Sequence, residues 1–194
     1  NENGIPVIYA DNINSRDALN WISSRAPDVI FCFGWSKLLR HELLGLARLG
    51  VLGFHPTALP ANRGRHPITW ALVLGLDKTA SSFFFMTAAA DSGDILSQYE
   101  ILITNKDDAR SLYDKVIKTA LVQIAEFLPA LTDGSFKTVK QDQTSVNFWR
   151  KREKNDGVID WRMSARSIHN LVRGLSMPYV GAHFLYHGNE IKVW

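Results

Sequence analysis

The sequence predicts an α/β protein built on an open, mostly parallel sheet, followed by a small C-terminal region of mixed elements. Three observations carry this. Residues 29–33 (Val-Ile-Phe-Cys-Phe) form an apolar run with no alternation, the pattern of a strand covered on both faces. A helical stretch separates it from a second such run at 51–54, so strands and helices alternate along the chain. From Gly134 the texture turns polar, with Lys137, Lys140, Gln141, Asp142 and Gln143 marking a connection that leaves the main domain. The expected division is a main domain over 1–134, then a connection and the start of a C-terminal region over 135–194.

The elements follow in order. Residues 5–9 read as a short strand, and Asn14 or Ser15 caps a helix running to about Arg25. After the 29–33 strand comes a short helix near 40–46, then the 51–54 strand. Pro56, Pro60, Asn62 and Gly64 exclude regular structure over 56–65. Pro67 fits the first turn of the next helix and Gly75 its end. Two strands are expected over 81–86 and 95–103, joined by a loop at 87–94. A long helix over 107–131 shows Leu112, Val116, Ala120, Ile124 and Leu128 at every fourth position. A further helix over 164–175 and two strands over 182–186 and 190–194 complete the chain. Both ends look clipped, as in a piece of a longer protein.

Composition narrows the classes. Hydrophobic residues make up 46% and charged residues 21% of the 194, which are globular values. A net charge of +3 is too small to argue for nucleic acid without clustering, and the one cluster, residues 150–154, reads as a solvated run. Cys32 is the single cysteine, so no intramolecular disulfide or cysteine metal site forms, and it reads as a small core residue. No histidine–carboxylate spacing looks like a ligand set for a metal. No apolar stretch approaches the roughly 20 residues of a membrane-spanning helix, and a reducing, cytoplasmic setting is expected.

In open α/β sheets ligands sit at the carboxyl ends of strands. His55 follows the 51–54 strand directly, and imidazole exchanges a proton near neutral pH. Asp91 lies in the loop Asp91-Ser92-Gly93-Asp94, which can fold back to the same rim and orient that ring. Read singly, each also fits a structural role: a histidine ending a strand, and an ordinary turn.

The surrounding wording is more specific. Phe54-His55-Pro56-Thr57-Ala58-Leu59-Pro60, then Arg63-Gly64 and Pro67, then Asp91-Ser92-Gly93-Asp94-Ile95-Leu96, resemble the formyltransferases that use 10-formyltetrahydrofolate. Gly4-Ile5-Pro6-Val7 and Pro27-Asp28-Val29-Ile30 fit upstream, as do Asp156-Gly157-Val158-Ile159-Asp160-Trp161, Ile168-His169-Asn170-Leu171-Val172-Arg173 and Pro178-Tyr179-Val180-Gly181-Ala182 downstream. The resemblance covers nearly the whole chain in the right order. It implies a Rossmann-like catalytic domain whose first strand and helix would precede Asn1, and a 10-formyltetrahydrofolate cosubstrate. It implies that His55 assists proton movement as an amine attacks the formyl carbon, and that Asp91 holds the imidazole. Folate contacts are expected at Phe33, Gly34 and Trp35 and along the loop of Asp91, Gly93 and Asp94.

The sequence departs from the family at one point. The family places an asparagine two positions before the histidine, and this chain has Gly53. Losing one oxyanion donor typically costs roughly 3–4 kcal/mol of transition-state stabilisation. Asn62, His66, a water or a backbone amide are the candidate replacements; a non-catalytic binder of folate or nucleotide, or a formyl hydrolase, is the alternative. Arg63 has two jobs open to it, clamping an anion of the substrate or pinning its own loop, and Arg65 extends toward the acceptor. Phe83, Phe84 and Phe85 read as core, and His169 as non-catalytic. The wording of 151–161 and 178–182, with the modest charge, favours a nucleotide-linked deoxyaminosugar as acceptor over methionyl-tRNA, the runner-up. The resemblance also admits a homodimer.

Overall fold

The structure, a computed structural model, describes residues 3–35 and 37–194. Helix α1 (Arg16–Ser23) begins where Ser15 accepts the Ala18 N–H. Strand β1 (Val29–Cys32), helix α2 (His41–Leu44) and strand β2 (Gly50–His55) follow, with β1 and β2 parallel from Val29 opposite Gly50 to Cys32 opposite Gly53. After the short β3 (Arg63–Gly64) and helix α3 (Pro67–Val73), strands β4 (Lys78–Phe85) and β5 (Ile95–Leu102) run antiparallel. The main sheet is ordered β1-β2-β4-β5. The α/β architecture is as expected, but the sheet is mixed rather than mostly parallel: among the described residues only β1–β2 pairs in parallel, and β2–β4 and β4–β5 pair antiparallel.

Residues 5–9, expected as a strand, belong to no strand among the described residues, and Val7 and Tyr9 are exposed. Phe31, expected to be covered on both sides, is 40% exposed because β1 lies at the sheet's edge.

Helices cover the sheet on both faces. On one, Leu39, Leu43 and Val51 pack with Leu19 and Ile22. On the other lies helix α4 (Ala109–Asp133), whose Phe127 and Leu131 meet Leu52 and Phe83. The expected stripe of α4 holds at Leu112 and Val116 but drifts. Each four-residue step overshoots one turn by about 40°, so the buried face passes to Gln123, Phe127 and Leu131 while Leu128 is exposed.

The polar stretch after α4 touches the main sheet at one bridge and then joins a separate two-stranded sheet. Val139 bonds Ile95 in both directions at 2.8 Å, and β6 (Phe148–Trp149) pairs in parallel with β3. Helix α5 (Ala165–Gly174) then packs on α3 so closely that a Cβ at Gly174 would lie 2.9 Å from Val73 Cγ2. Strands β7 (Ala182–Tyr186) and β8 (Asn189–Val193) form a hairpin, and Ile159, Leu171, Leu175 and Ala182 make a separate small core.

Arg173 joins the two parts, donating to Asn170 Oδ1 and to the carbonyls of Thr104 and Asp107. Burial by itself would raise the pKa of the Asp107 carboxyl. The Lys115 ammonium, the N–H and hydroxyl of Thr104 and the Ser111 hydroxyl outweigh it and hold the group at about 2, below its ordinary 3.8. A depressed folded-state pKa contributes stability that is present above the ordinary value and lost as pH falls toward the folded one. Asp107→Asn is therefore expected to lower stability at neutral pH and to flatten its fall between about pH 4 and 2; urea titrations across that range check it.

Candidate active site

His55 is the last residue of β2, opposite Ser82 of β4, and is only 6% exposed. Its Nε2 lies 2.9 Å from the carbonyl oxygen of Asn62. A carbonyl only accepts, so Nε2 carries the hydrogen and the neutral ring keeps its lone pair on Nδ1. Nδ1 faces Asp91 Oδ2 at 3.9 Å. The same Oδ2 accepts the Gly64 N–H at 2.9 Å, which fixes the carboxylate against β3. The two residues singled out in the sequence thus converge on one rim.

The irregular loop after His55 is held from below. Thr57 is fully buried and its hydroxyl donates to Ala61 O. Thr79 donates to Pro56 O, Ser82 to Thr57 O and Gln98 to Leu59 O, so carbonyls without ladder partners are satisfied by side chains of β4 and β5. Asn62 sits at φ 63, a turn conformation that asparagine tolerates.

A cleft of about 410 Å³ opens over the pair, and Trp35, Arg65, His66 and Met86 border it with His55 and Asp91. His66 has a lowered pKa, through burial first and then the nearby cations Arg65, Arg152 and Lys151. Trp35, 40% exposed, borders this cleft. Phe33, 46% exposed, touches Phe31, Phe54 and Phe83, and Gly34 follows it in a left-handed turn at φ 65. Phe83 and Phe84 are core, as expected. Gly93 is where the 91–94 loop touches β4, and the Asp94 carbonyl accepts the Phe85 N–H.

Two expected roles are corrected by the geometry. Arg63 is 3% exposed, and its Nε and Nη2 both donate to Gln141 Oε1, at 3.1 and 2.6 Å. Of its two open jobs it does the loop-pinning one, because burial removes it from any anion in the cleft. The Asn62 side chain pairs with Asn147, whose Nδ2 donates to Asn62 Oδ1 at 2.9 Å, so Asn62 serves His55 through its backbone carbonyl. At Gly53 the missing side chain has been replaced by a neighbour. A Cβ there would meet Met86 Cγ at 2.8 Å and Phe84 Cζ at 3.0 Å.

Gln141 escaped the sequence reading. Buried at 6%, it accepts both Arg63 bonds while its Nε2 donates to the carbonyls of Asp91 and Gly93. One side chain thus ties the Asp91 loop to β3. Nothing in a run of polar residues marks one glutamine as buried. Gln141→Ala leaves a buried guanidinium without its acceptor, and a loss of about 2–4 kcal/mol is expected; chemical denaturation measures it.

Among the described residues no group of three or more histidines, cysteines or carboxylates is placed to hold a metal ion, and no helix is long and apolar enough to cross a membrane.

Comparison with known proteins bears on the fold and the family. The chain is 35% identical over 190 residues, 98% of its length, to the bifunctional polymyxin resistance protein ArnA of Wigglesworthia glossinidia brevipalpis, and spans 29% of that relative's length. Among solved structures it is similar to a 4-N formyltransferase from Francisella tularensis, at 22% identity and a TM-score of 0.79, covering 90% of this chain and 72% of that one. It is also similar in fold to HypX from Aquifex aeolicus in complex with tetrahydrofolic acid, at 19% identity and a TM-score of 0.77, covering 91% of this chain and 31% of that one. The formyl transferase family model matches residues 8–126, and the model of the formyl transferase C-terminal domain matches residues 151–194. With His55 and Asp91 facing each other inside the first of these spans, the chain belongs to the formyl transferase family.

Proposed function

We propose that the chain transfers a formyl group from 10-formyltetrahydrofolate to the amino group of a nucleotide-linked deoxyaminosugar. The observation that carries the reading is the basic Nδ1 of His55, held toward the Asp91 carboxylate at the wall of an open cleft. The likeness in fold to solved sugar N-formyltransferases supports the choice of a sugar acceptor.

In this reading the cosubstrate supplies the formyl carbon. Trp35 offers an exposed ring for its flat heterocycle, and the cleft is large enough to admit that end of the molecule. The cosubstrate therefore fits the residues present. His55 takes the proton that the attacking amine must lose, on Nδ1, while Asn62 O keeps the ring from turning. Asp91 then faces the imidazolium, and the Gly64 N–H keeps that carboxylate in place. Arg65 and His66, exposed on the same cleft, are positioned to meet the acceptor. Residues 1–134 would form the catalytic domain, and 135–194 the connection and the start of the C-terminal region.

A second reading, a binder or a formyl hydrolase, is favoured by one observation: Met86 and Phe84 occupy the space beside Gly53 where an oxyanion-donating side chain would stand. Incubation with labelled formyl donor separates the readings. Label on a sugar nucleotide supports transfer to sugars; label only on methionyl-tRNA moves the acceptor; free formate without an amine marks a hydrolase; tight folate binding with none of these marks a binder. Gly53→Asn alone is expected to cost about 1–3 kcal/mol through overpacking, and Met86→Ala in the same chain to relieve part of it, as thermal denaturation would read.

A further inference from the structure

Both members of the His55–Asp91 pair are held by backbone that itself leans on the connection after α4. His55 Nε2 donates to Asn62 O, and that oxygen belongs to the peptide joining Asn62 to Arg63. A planar trans peptide points its N–H and C=O in opposite directions, so whatever holds the Arg63 N–H aims the Asn62 carbonyl. Asn147 O holds it, at 3.1 Å. The Asn147 side chain grips the residue before: its Oδ1 accepts the Asn62 N–H, and its Nδ2 donates to Asn62 Oδ1 at 2.9 Å. Together these bonds keep Asn62 at its left-handed φ of 63, a conformation that persists where the surroundings over-determine it.

Asp91 is held in the same manner. It too is left-handed, at φ 51. Its carbonyl and that of Gly93 accept from Gln141 Nε2 at 2.9 and 2.7 Å, while Gln141 Oε1 takes both Arg63 bonds. Between Gln141 and Asn147 lies one 3-10 turn, Gln143–Ser145. The Asp142 carboxylate braces it, accepting from the Thr144 N–H and from the hydroxyls of Thr144 and Ser145. One short, locally braced segment thus carries a grip on each side of the pair.

Asn147 is exposed, so no core depends on its side chain. Catalytic groups, by contrast, have to be held closely, since a misplacement of about 1 Å can cost about 10²-fold in rate.

We infer that residues 141–147 are a clamp for the pair: Asn147 is a positioning residue for His55, and Gln141 is one for Asp91. The effect on rate rests on the formyl-transfer reading. The effect on the His55 ring does not, because the tautomer is set by Asn62 O whether or not a formyl group is transferred.

Two measurements test it. Proton–nitrogen correlation NMR of the neutral His55 ring is expected to show one tautomer in the unaltered protein, with the hydrogen on Nε2, and a mixture of both in Asn147→Ala. In single-turnover formyl transfer, Asn147→Ala is expected to be slower by about tenfold or more, with the affinity for tetrahydrofolate unmoved. Asn147→Asp still accepts the Asn62 N–H and should recover most of the rate. Asn147→Ala should add nothing to the loss caused by His55→Ala, because a residue that acts through another is not additive with it. Gln141→Glu keeps an acceptor for Arg63 but loses both donations to the loop, so it should slow transfer comparably and add nothing to Asp91→Ala. A single tautomer in both proteins overturns the proposal, as does equal slowing by Asn147→Ala with and without His55. If no amine is formylated at all, the reading of the function falls, and the tautomer comparison alone decides the clamp.

Discussion

His55→Ala is expected to slow formyl transfer by about 10²–10⁴-fold, the usual worth of a positioned general base, with folate affinity little changed. The geometry behind this is one-sided. Nε2 is committed to Asn62 O, so Nδ1 alone is available to exchange a proton, and it sits between Asp91 and the cleft. The variant also strips a buried carbonyl of its donor, at a cost of about 1–3 kcal/mol, so loss of activity could be confused with loss of fold. His55→Gln separates the two. Its side-chain amide can donate to Asn62 O yet has no basic nitrogen, so it should keep more stability than the alanine variant and still fail to transfer. Single-turnover assays with labelled donor, beside folate titration and thermal denaturation, read all three quantities. Turnover near that of the unaltered protein in His55→Gln would remove the role given to this residue.

Gly93→Ala should be the most damaging small substitution in the site. A Cβ there would lie 1.6 Å from Phe85 O and 2.8 Å from its carbonyl carbon, contacts that no side-chain rotation relieves. The 91–94 loop must lift from β4. That movement breaks the Phe85 N–H bond to Asp94 O and both Gln141 bonds to the loop, and it carries Asp91 away from His55. A loss of about 4 kcal/mol or more is expected, in the range reserved for severe steric defects, with transfer falling further than stability explains. Gly34→Ala is the natural control. It has a left-handed φ of 65 but nothing within 4 Å, so it should cost only about 1 kcal/mol of backbone strain. Equal denaturation midpoints for the two variants would contradict the close-approach argument.

Much of the architecture is legible from local chemistry. Ser15, Pro67, Asp108 and Ser164 mark helix starts because the bonds or dihedrals they satisfy lie within the first turn. The end of β2 before Pro56 and the start of β5 after Asp94 fall where apolar runs meet proline and aspartate, whereas β4 begins at Lys78, earlier than the expected 81. His55 and Asp91 are readable as a pair through the family resemblance of the words around them, since read singly one is a strand-ending histidine and the other sits in an ordinary turn.

What the sequence could not decide is every feature that depends on a partner distant along the chain. Residues 5–9 carry strand propensity but belong to no described strand, and the apolar run around Phe31 is half open because β1 is an edge. The fate of Arg63 turned on Gln141, 78 residues away, and that of Asn62 on Asn147, 85 residues away. Gly53 shows the division most clearly. Its sequence establishes that no side chain can donate from that position. Only the packing of Met86 and Phe84 shows that the space is filled, because close packing is a property of the whole interior and leaves no trace in the identity of one residue.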